Sequence, residues 1–208
     1  MHSGKAIARL SLYRRILGEF LAEGAASLRS YQLADRAGVS AAQVRRDLML
    51  IGYEGSPRKG YNTQKLLESL VSFLTAPGDQ HTILIGVGNL GRALLSYFAN
   101  RGHRENIVAA FDVDPQNTGR VIHGCRCHHI DELEEIWQKH NIRVAILAVP
   151  ATEAQPTADH LISLGIKGII NFAPVRLKSP PKVYIENVDL TMLLEKVAFF
   201  ARENDNAV

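Results

Sequence analysis

The segment Gly86-Val87-Gly88-Asn89-Leu90-Gly91-Arg92 carries glycines at the spacing G-x-G-x-x-G. A β-branched run, Thr82–Ile85, stands directly before it, and an apolar-faced helix is predicted from Asn89 to Asn100. In that setting the spacing suits a pyrophosphate. Gly86 permits the tight turn, Gly88 lets phosphate approach the backbone, and Gly91 lets helix and strand pack closely. The helix start then offers unpaired N–H groups and partial positive charge. Asp112 follows 21 residues after Gly91, at the end of the next predicted strand, Asn106–Phe111. A carboxylate there can accept from both ribose hydroxyls and repels a 2′-phosphate, so the expected cofactor is NAD(H) rather than NADP(H). Val149, Pro150, Asn171, Phe172 and Pro174, at the ends of later predicted strands, are expected to complete the cofactor site.

A second group of residues suits a different polymer. Gly38-Val39 forms a turn between two predicted helices, the first capped by Ser30 and the second by Ser40. With Ala41, Val44, Leu48 and Ile51 facing inward, Ala42, Gln43, Arg45, Arg46 and Met49 face outward or flank. This is a helix-turn-helix pattern. Gln43 and Arg46 lie one turn apart and suit the edges of adenine and guanine, while Arg45 suits a phosphate. The stretch from Gly52 to Tyr61, with Arg58, Lys59, Gly60 and Tyr61, reads as a short basic β-wing. The expected DNA-binding set is therefore Ser40, Gln43, Arg45, Arg46, Arg58, Lys59, Gly60 and Tyr61.

Two rival chemistries find less support in the residues. An NAD-dependent dehydrogenase would need a general acid or base and usually a substrate domain, and none of the eight histidines stands in a recognisable catalytic arrangement. His123, Cys125, Cys127, His128 and His129 crowd seven positions, yet C-x-C is not the usual tetrahedral zinc spacing. No catalytic residue and no metal ligand is assigned. A thiol redox switch at Cys125 and Cys127 remains open.

The elements that must position these groups follow from composition and rhythm. The chain has 208 residues, 46% hydrophobic and 22% charged, which excludes disorder and low complexity. No apolar run reaches the ~18 residues of a membrane span, and two cysteines cannot build a disulfide framework, so a cytoplasmic setting is expected. Net charge is +5 from Met1 to Gly78 and −2 from Asp79 onward, as expected of a basic front that meets a polyanion. The breaker cluster Ala76-Pro77-Gly78-Asp79 coincides with that change. Before it the periodicity is helical, with Leu10, Tyr13, Leu17, Phe20 and Leu21 on one face. After it strands and helices alternate: Val121–Cys127, Val144–Val149, Gly168–Phe172 and Val183–Ile185 are predicted strands, and a last helix carries Leu190, Leu193, Leu194, Val197 and Ala201 on one face. The expected class is α/β, with a mainly parallel, doubly wound sheet behind an N-terminal helical module.

Taken together, Gln43-Val44-Arg45-Arg46-Asp47-Leu48, Gly60-Tyr61, Gly86 to Arg92, Phe111-Asp112-Val113-Asp114, Ala148-Val149-Pro150, Gly165 to Val175 and Glu186-Asn187-Val188-Asp189 resemble the bacterial redox-sensing transcriptional repressors of the Rex family, over nearly the whole chain. The segment Leu50 to Gly55 and the wing residues Ser56 to Lys59 depart from that family's pattern. The resemblance implies a winged-helix DNA-binding domain over 1–78, a Rossmann NAD(H)-binding domain over 79–188 and a domain-swapped dimerisation helix over 189–208. It further implies a homodimer, no membrane partner, operator double-stranded DNA, and NADH and NAD⁺ as ligands, with NADH releasing DNA. Carried over by matching position, the switch would use Arg15, Tyr97 and Asp189.

Overall fold

The computed structural model describes residues 3–56, 59–75, 81–99 and 107–205. The chain divides into two units, Met1–Pro77 and Gly78–Val208. The expected linker, Ala76 to Asp79, lies outside the described residues.

In the first unit, α1 (Gly4–Ala22) turns Leu10, Tyr13, Ile16, Leu17 and Phe20 inward, the i, i+3, i+6, i+7 and i+10 positions of one helical face. Gly38, with φ of 64°, ends α2 (Ser30–Ala37), and α3 (Ala41–Leu50) begins after Ser40, whose hydroxyl accepts the Gln43 N–H at 3.1 Å. Ser30 does not cap α2 as expected. It is the first helical residue; the Gln32 side chain instead accepts the Arg29 backbone N–H at 2.7 Å, and the Ser30 hydroxyl accepts from Arg45 at 3.1 Å. Strands β1 (Ser27–Leu28) and β2 (Tyr61–Asn62) pair antiparallel, and Ser56 bridges Gly60 beyond them, so a small wing follows α3. Helix α4 (Thr63–Leu74) completes a core built on Leu10, Tyr13, Leu33, Val44, Leu48 and Leu66.

The second unit is one sheet in the order β5-β6-β4-β3-β7-β8-β9. The strands are β3 (His81–Ile85), β4 (Ile107–Asp112), β5 (Val121–Ile122), β6 (Cys125–His129), β7 (Ile142–Leu147), β8 (Gly168–Asn171) and β9 (Tyr184–Asn187). Among the described residues its pairings are parallel except the β5–β6 hairpin. Helices α5 (Asn89–Ala99), α6 (Leu133–Lys139) and α7 (Ala151–Ser163) cover it. Alternate residues of β3 enter opposite cores: Ile83 and Ile85 pack with Phe111, Leu133 and Leu161, and Leu84 packs with Leu95, Ala110 and Cys127. Burial on both faces explains why these strands read as unbroken apolar runs.

Three boundaries differ clearly from expectation, the first being β7, which runs over Ile142–Leu147 rather than Val144–Val149 because Ile142 is already buried in the core. The run Val121–Cys127 is not one strand, because His123 and Gly124 take φ of 48° and 81° and turn the chain back on itself, the two left-handed residues of a tight hairpin. The last strand is Tyr184–Asn187 rather than Val183–Ile185; Val183 is buried just before it. Helix α8 (Leu190–Asp205) then leaves Leu194, Val197 and Phe200 at 70%, 67% and 55% exposure. Among the described residues, no helix is long and apolar enough to cross a membrane.

Candidate functional site

The carboxyl ends of β4, β3, β7 and β8 lie side by side; the connection after β3 runs to β4 on one side, and the connection after β7 runs to β8 on the other. That reversal is the topological switch point at which doubly wound sheets bind ligands. The glycines of the loop after β3 have three separate duties there. Gly86 takes φ of 92°, and a Cβ on it would lie 2.4 Å from the Ala148 carbonyl oxygen on the neighbouring strand end. A Cβ on Gly91 would lie 2.0 Å from the Gly86 carbonyl oxygen, so only glycine lets α5 pack this closely. Gly88 is different: a Cβ there would meet nothing within 4 Å. The backbone at Gly88 borders open space beside the start of α5, where Asn89 is exposed and Leu90 half-buried. Such a cradle suits a diphosphate.

The loop is held from below. Val87 is fully buried, and its N–H donates to Asp112 Oδ2 at 2.7 Å. The same oxygen accepts from the Asn117 side chain at 2.9 Å, while Oδ1 accepts the N–H groups of Val113 and Asp114 at 2.7 and 3.0 Å. Burial opposes the charged form of Asp112, but those four donors outweigh it and hold the carboxyl below its ordinary value. With both oxygens engaged, Asp112 shapes the loop. The exposed carboxylate at this strand end is that of Asp114, which accepts the Gln116 N–H at 2.8 Å. Asn117, buried, also accepts from the Arg92 guanidinium. Sequence reading missed Asn117; its only signal was its place five residues after Asp112.

On the other side of the switch point, Val149 is half-buried and Pro150 exposed at the start of α7, with Phe172 half-buried and Pro174 exposed after β8. Asn171 is fully buried. Its side-chain N–H groups donate to Val175 O at 2.7 Å and to Asn187 Oδ1 at 3.0 Å, and its Oδ1 accepts the Ala173 N–H at 3.1 Å. It therefore shapes the turn that carries Phe172 and Pro174.

In the first unit, Arg45 and Arg46 are exposed on α3 with Ala42 and Met49. Lys59 is exposed on the wing, and Arg58 lies outside the described residues. Tyr61 is only 8% exposed, in the core beside Leu28, so its ring supports the wing from beneath. Gly60 closes the bridge to Ser56. Gln43 is half-buried; its amide N–H donates to Asp47 Oδ1 at 2.8 Å and its oxygen accepts from Arg46 at 2.9 Å. Asp47, absent from the expected set, is 2% exposed and binds Arg9 through both oxygens at 2.6 and 2.7 Å, with the Tyr13 hydroxyl at 2.9 Å. Burial opposes its charge, and the bonds from Arg9, Tyr13 and Gln43 hold its carboxyl below the ordinary value. Burial, then the bond to Asp47, pushes the Tyr13 hydroxyl up.

Of the three residues the resemblance assigns to a switch, Arg15 is exposed on α1 and Tyr97 is 49% exposed on α5, its ring edge-on to Phe98 at 5.2 Å. Asp189 precedes α8, and its Oδ1 accepts the Met192 N–H at 2.9 Å, a helix cap. Cys125 and Cys127 are both buried in the core that contains Leu84.

Comparison with known proteins agrees with this two-part layout. The family model "Putative DNA-binding protein N-terminus" matches residues 3–48, and the model "CoA binding domain" matches residues 78–175. The redox-sensing transcriptional repressor Rex of Carboxydothermus hydrogenoformans is 40% identical over 201 residues, covering 95% of each chain. The crystal structure of RSP with β-NAD⁺ and operator DNA matches with a TM-score of 0.90 and 34% identity, covering 99% of this chain and 94% of that one. The structure of RSP with β-NADH matches with a TM-score of 0.86 and 34% identity, covering 99% and 96%. RSP is itself a Rex-family repressor. With that identity sustained along both units, this chain belongs to the Rex family of redox-sensing transcriptional repressors.

Proposed function

We propose that the chain represses transcription by binding operator DNA through its first unit when NADH is scarce, and that NADH bound in its second unit releases it. The single observation that carries this reading is the division of labour among Gly86, Gly88 and Gly91. Two glycines are demanded by packing, and the third faces open space at the start of α5. The dinucleotide is assigned to Gly86, Val87, Gly88, Asn89, Leu90, Gly91 and Arg92, with Val149, Pro150, Phe172 and Pro174 around it. Asp112 and Asn171 serve by shaping its walls. DNA is assigned to the α3 face that carries Arg45 and Arg46, entered at Ser40, with Lys59 and Arg58 of the wing on the backbone. A carboxylate-rich strand end at Asp112 and Asp114 favours NAD(H) over NADP(H).

The working form in this reading is a cytoplasmic homodimer joined through α8, whose exposed leucine, valine and phenylalanine side chains have the composition of a buried helix. The chain is not an enzyme in this reading, and the dehydrogenase alternative is not favoured, since the relatives described above are named repressors. NAD⁺ and NADH differ in ring charge and planarity at the nicotinamide. Release requires that NADH favour one dimer arrangement over the other, because a ligand that binds both equally shifts nothing. Arg15, Tyr97 and Asp189 are the residues assigned to that preference. Reciprocity then requires operator DNA to weaken NADH binding by the factor with which NADH weakens operator binding.

The test is a mobility shift on the DNA upstream of the protein's own gene, with and without NADH, at two salt concentrations. Specific binding should be lost on adding NADH and should weaken with salt at a log–log slope of about −0.9 per neutralised phosphate. Binding indifferent to NADH would sink the reading.

A further inference from the structure

Asp47 sits at the junction of a chain of hydrogen bonds that begins on α1 and ends at an exposed arginine. Its four acceptor positions are filled: Arg9 Nε at 2.6 Å and the Tyr13 hydroxyl at 2.9 Å on Oδ2, Arg9 Nη2 at 2.7 Å and Gln43 Nε2 at 2.8 Å on Oδ1. A carboxylate can only accept and a guanidinium can only donate. Gln43 lies between one of each, so its amide has a single orientation that satisfies both neighbours: nitrogen toward Asp47, oxygen toward Arg46 Nη2 at 2.9 Å. Turning the amide over would set donor against donor and acceptor against acceptor. Arg46 itself is exposed, and among the described residues its guanidinium is held by Gln43.

We propose that Asp47 and Gln43 are positioning residues that preset the Arg46 guanidinium for a guanine edge, so that sequence preference is set in part by a carboxylate that never meets DNA. The inference rests on the DNA-binding reading above and deepens it. An arginine that is free to rotate must be ordered when it meets a base, and that entropy is subtracted from discrimination; an arginine already held by Gln43 loses less. It also gives Gln43 a role other than reading adenine, since both ends of its amide are engaged within the protein. The fork of Arg46 retains donors for the O6 and N7 acceptors of guanine, the pairing that discriminates best in the major groove.

The experiment compares the full chain with Asp47→Asn, Gln43→Leu, Arg46→Ala and the Asp47→Asn/Arg46→Ala double variant. Affinity is read by fluorescence anisotropy on the upstream operator duplex and on a scrambled duplex of equal length and composition. Asp47→Asn should lower the operator-to-scrambled ratio about 10-fold while leaving scrambled-duplex affinity and its salt slope unchanged; a loss of fold would lower both affinities. Gln43→Leu, which leaves the Arg9–Asp47 pair intact, should reproduce the loss of ratio and serves if Asp47→Asn does not fold. In the double variant the ratio should be no lower than in Arg46→Ala alone, because Asp47 acts through Arg46. An unchanged ratio in both Asp47→Asn and Gln43→Leu, or fully additive losses in the double variant, overturns the inference alone. Failure of the wild-type chain to prefer operator over scrambled DNA overturns the DNA-binding reading with it.

Discussion

Asp112 and Val87 are 25 residues apart and joined by a 2.7 Å hydrogen bond, the backbone N–H of one donating to the carboxylate of the other. The end of β4 thereby holds the glycine loop of β3 in place, and replacing Asp112 by Asn should loosen that loop. The variant should lose about 2 kcal/mol at neutral pH, the scale of hydrogen bonds to a charged group. Because the folded carboxyl titrates below its ordinary value, its contribution is complete above the unfolded pKa of about 4 and is lost as pH falls through the folded one. Wild type and Asp112→Asn should therefore converge in stability in acid below that point. Emission of the sole tryptophan, Trp137, half-buried against the core of the second unit, reports the urea transition.

Gly88 and Gly91 should separate binding from folding. Gly88→Ala places a methyl group in open space and should leave the melting temperature unchanged while weakening NADH at least ~10-fold, by obstructing the phosphates. Gly91→Ala forces a contact 2.0 Å from the Gly86 oxygen and should lose stability by about 1–3 kcal/mol as well as NADH affinity. Calorimetry and NADH fluorescence on both variants check the contrast; equal effects on the two would remove the distinction between cradle and packing glycine.

Burial pushes both thiols, Cys125 and Cys127, up to about 11. At pH 7 only roughly one thiol in ten thousand is then ionised, and the thiolate is the reactive form. Native protein should react with a disulfide reagent at least ~100-fold more slowly than protein in denaturant, with both thiols appearing together as the second unit unfolds. Prompt native reaction would reopen a thiol switch at these positions.

Helix α8 exposes Leu194 and Phe200 at 70% and 55% in the single chain. Glutamate at both positions should leave the second unit folded, raise the dimer dissociation constant at least ~100-fold and weaken operator binding in proportion. Light scattering after size exclusion gives the mass directly, and a dimer that survives both substitutions would place the subunit contact elsewhere.

Much of this architecture was readable before folding because the signals were local. Ser40 announced a helix start, alternate strands announced two buried faces, and the glycine spacing announced a turn, a cradle and a close contact. What sequence did not disclose were groups whose partners are distant or are backbone. The strand-end position of Asp112 is legible in sequence, but the donors that hold its carboxylate, from Val87, Val113, Asp114 and Asn117, are not. Asn171 stands at a legible strand end, while its bonds to Val175, Ala173 and Asn187 depend on a turn that sequence does not show. Asp47 received no role of its own from sequence, because nothing within α3 tells that Arg9, 38 residues earlier, will meet it. The run Val121–Cys127 concealed its bend, since histidine at the first turn position carries little of the glycine signal that usually marks a hairpin.

Tyr13 and Arg9 fasten α1 to α3 by direct side-chain bonds to one buried carboxylate. A torque applied to α1 is thus delivered to α3 as if the pair were a single lever. In the DNA-binding reading proposed above, a head built this way would leave its operator by turning as one piece.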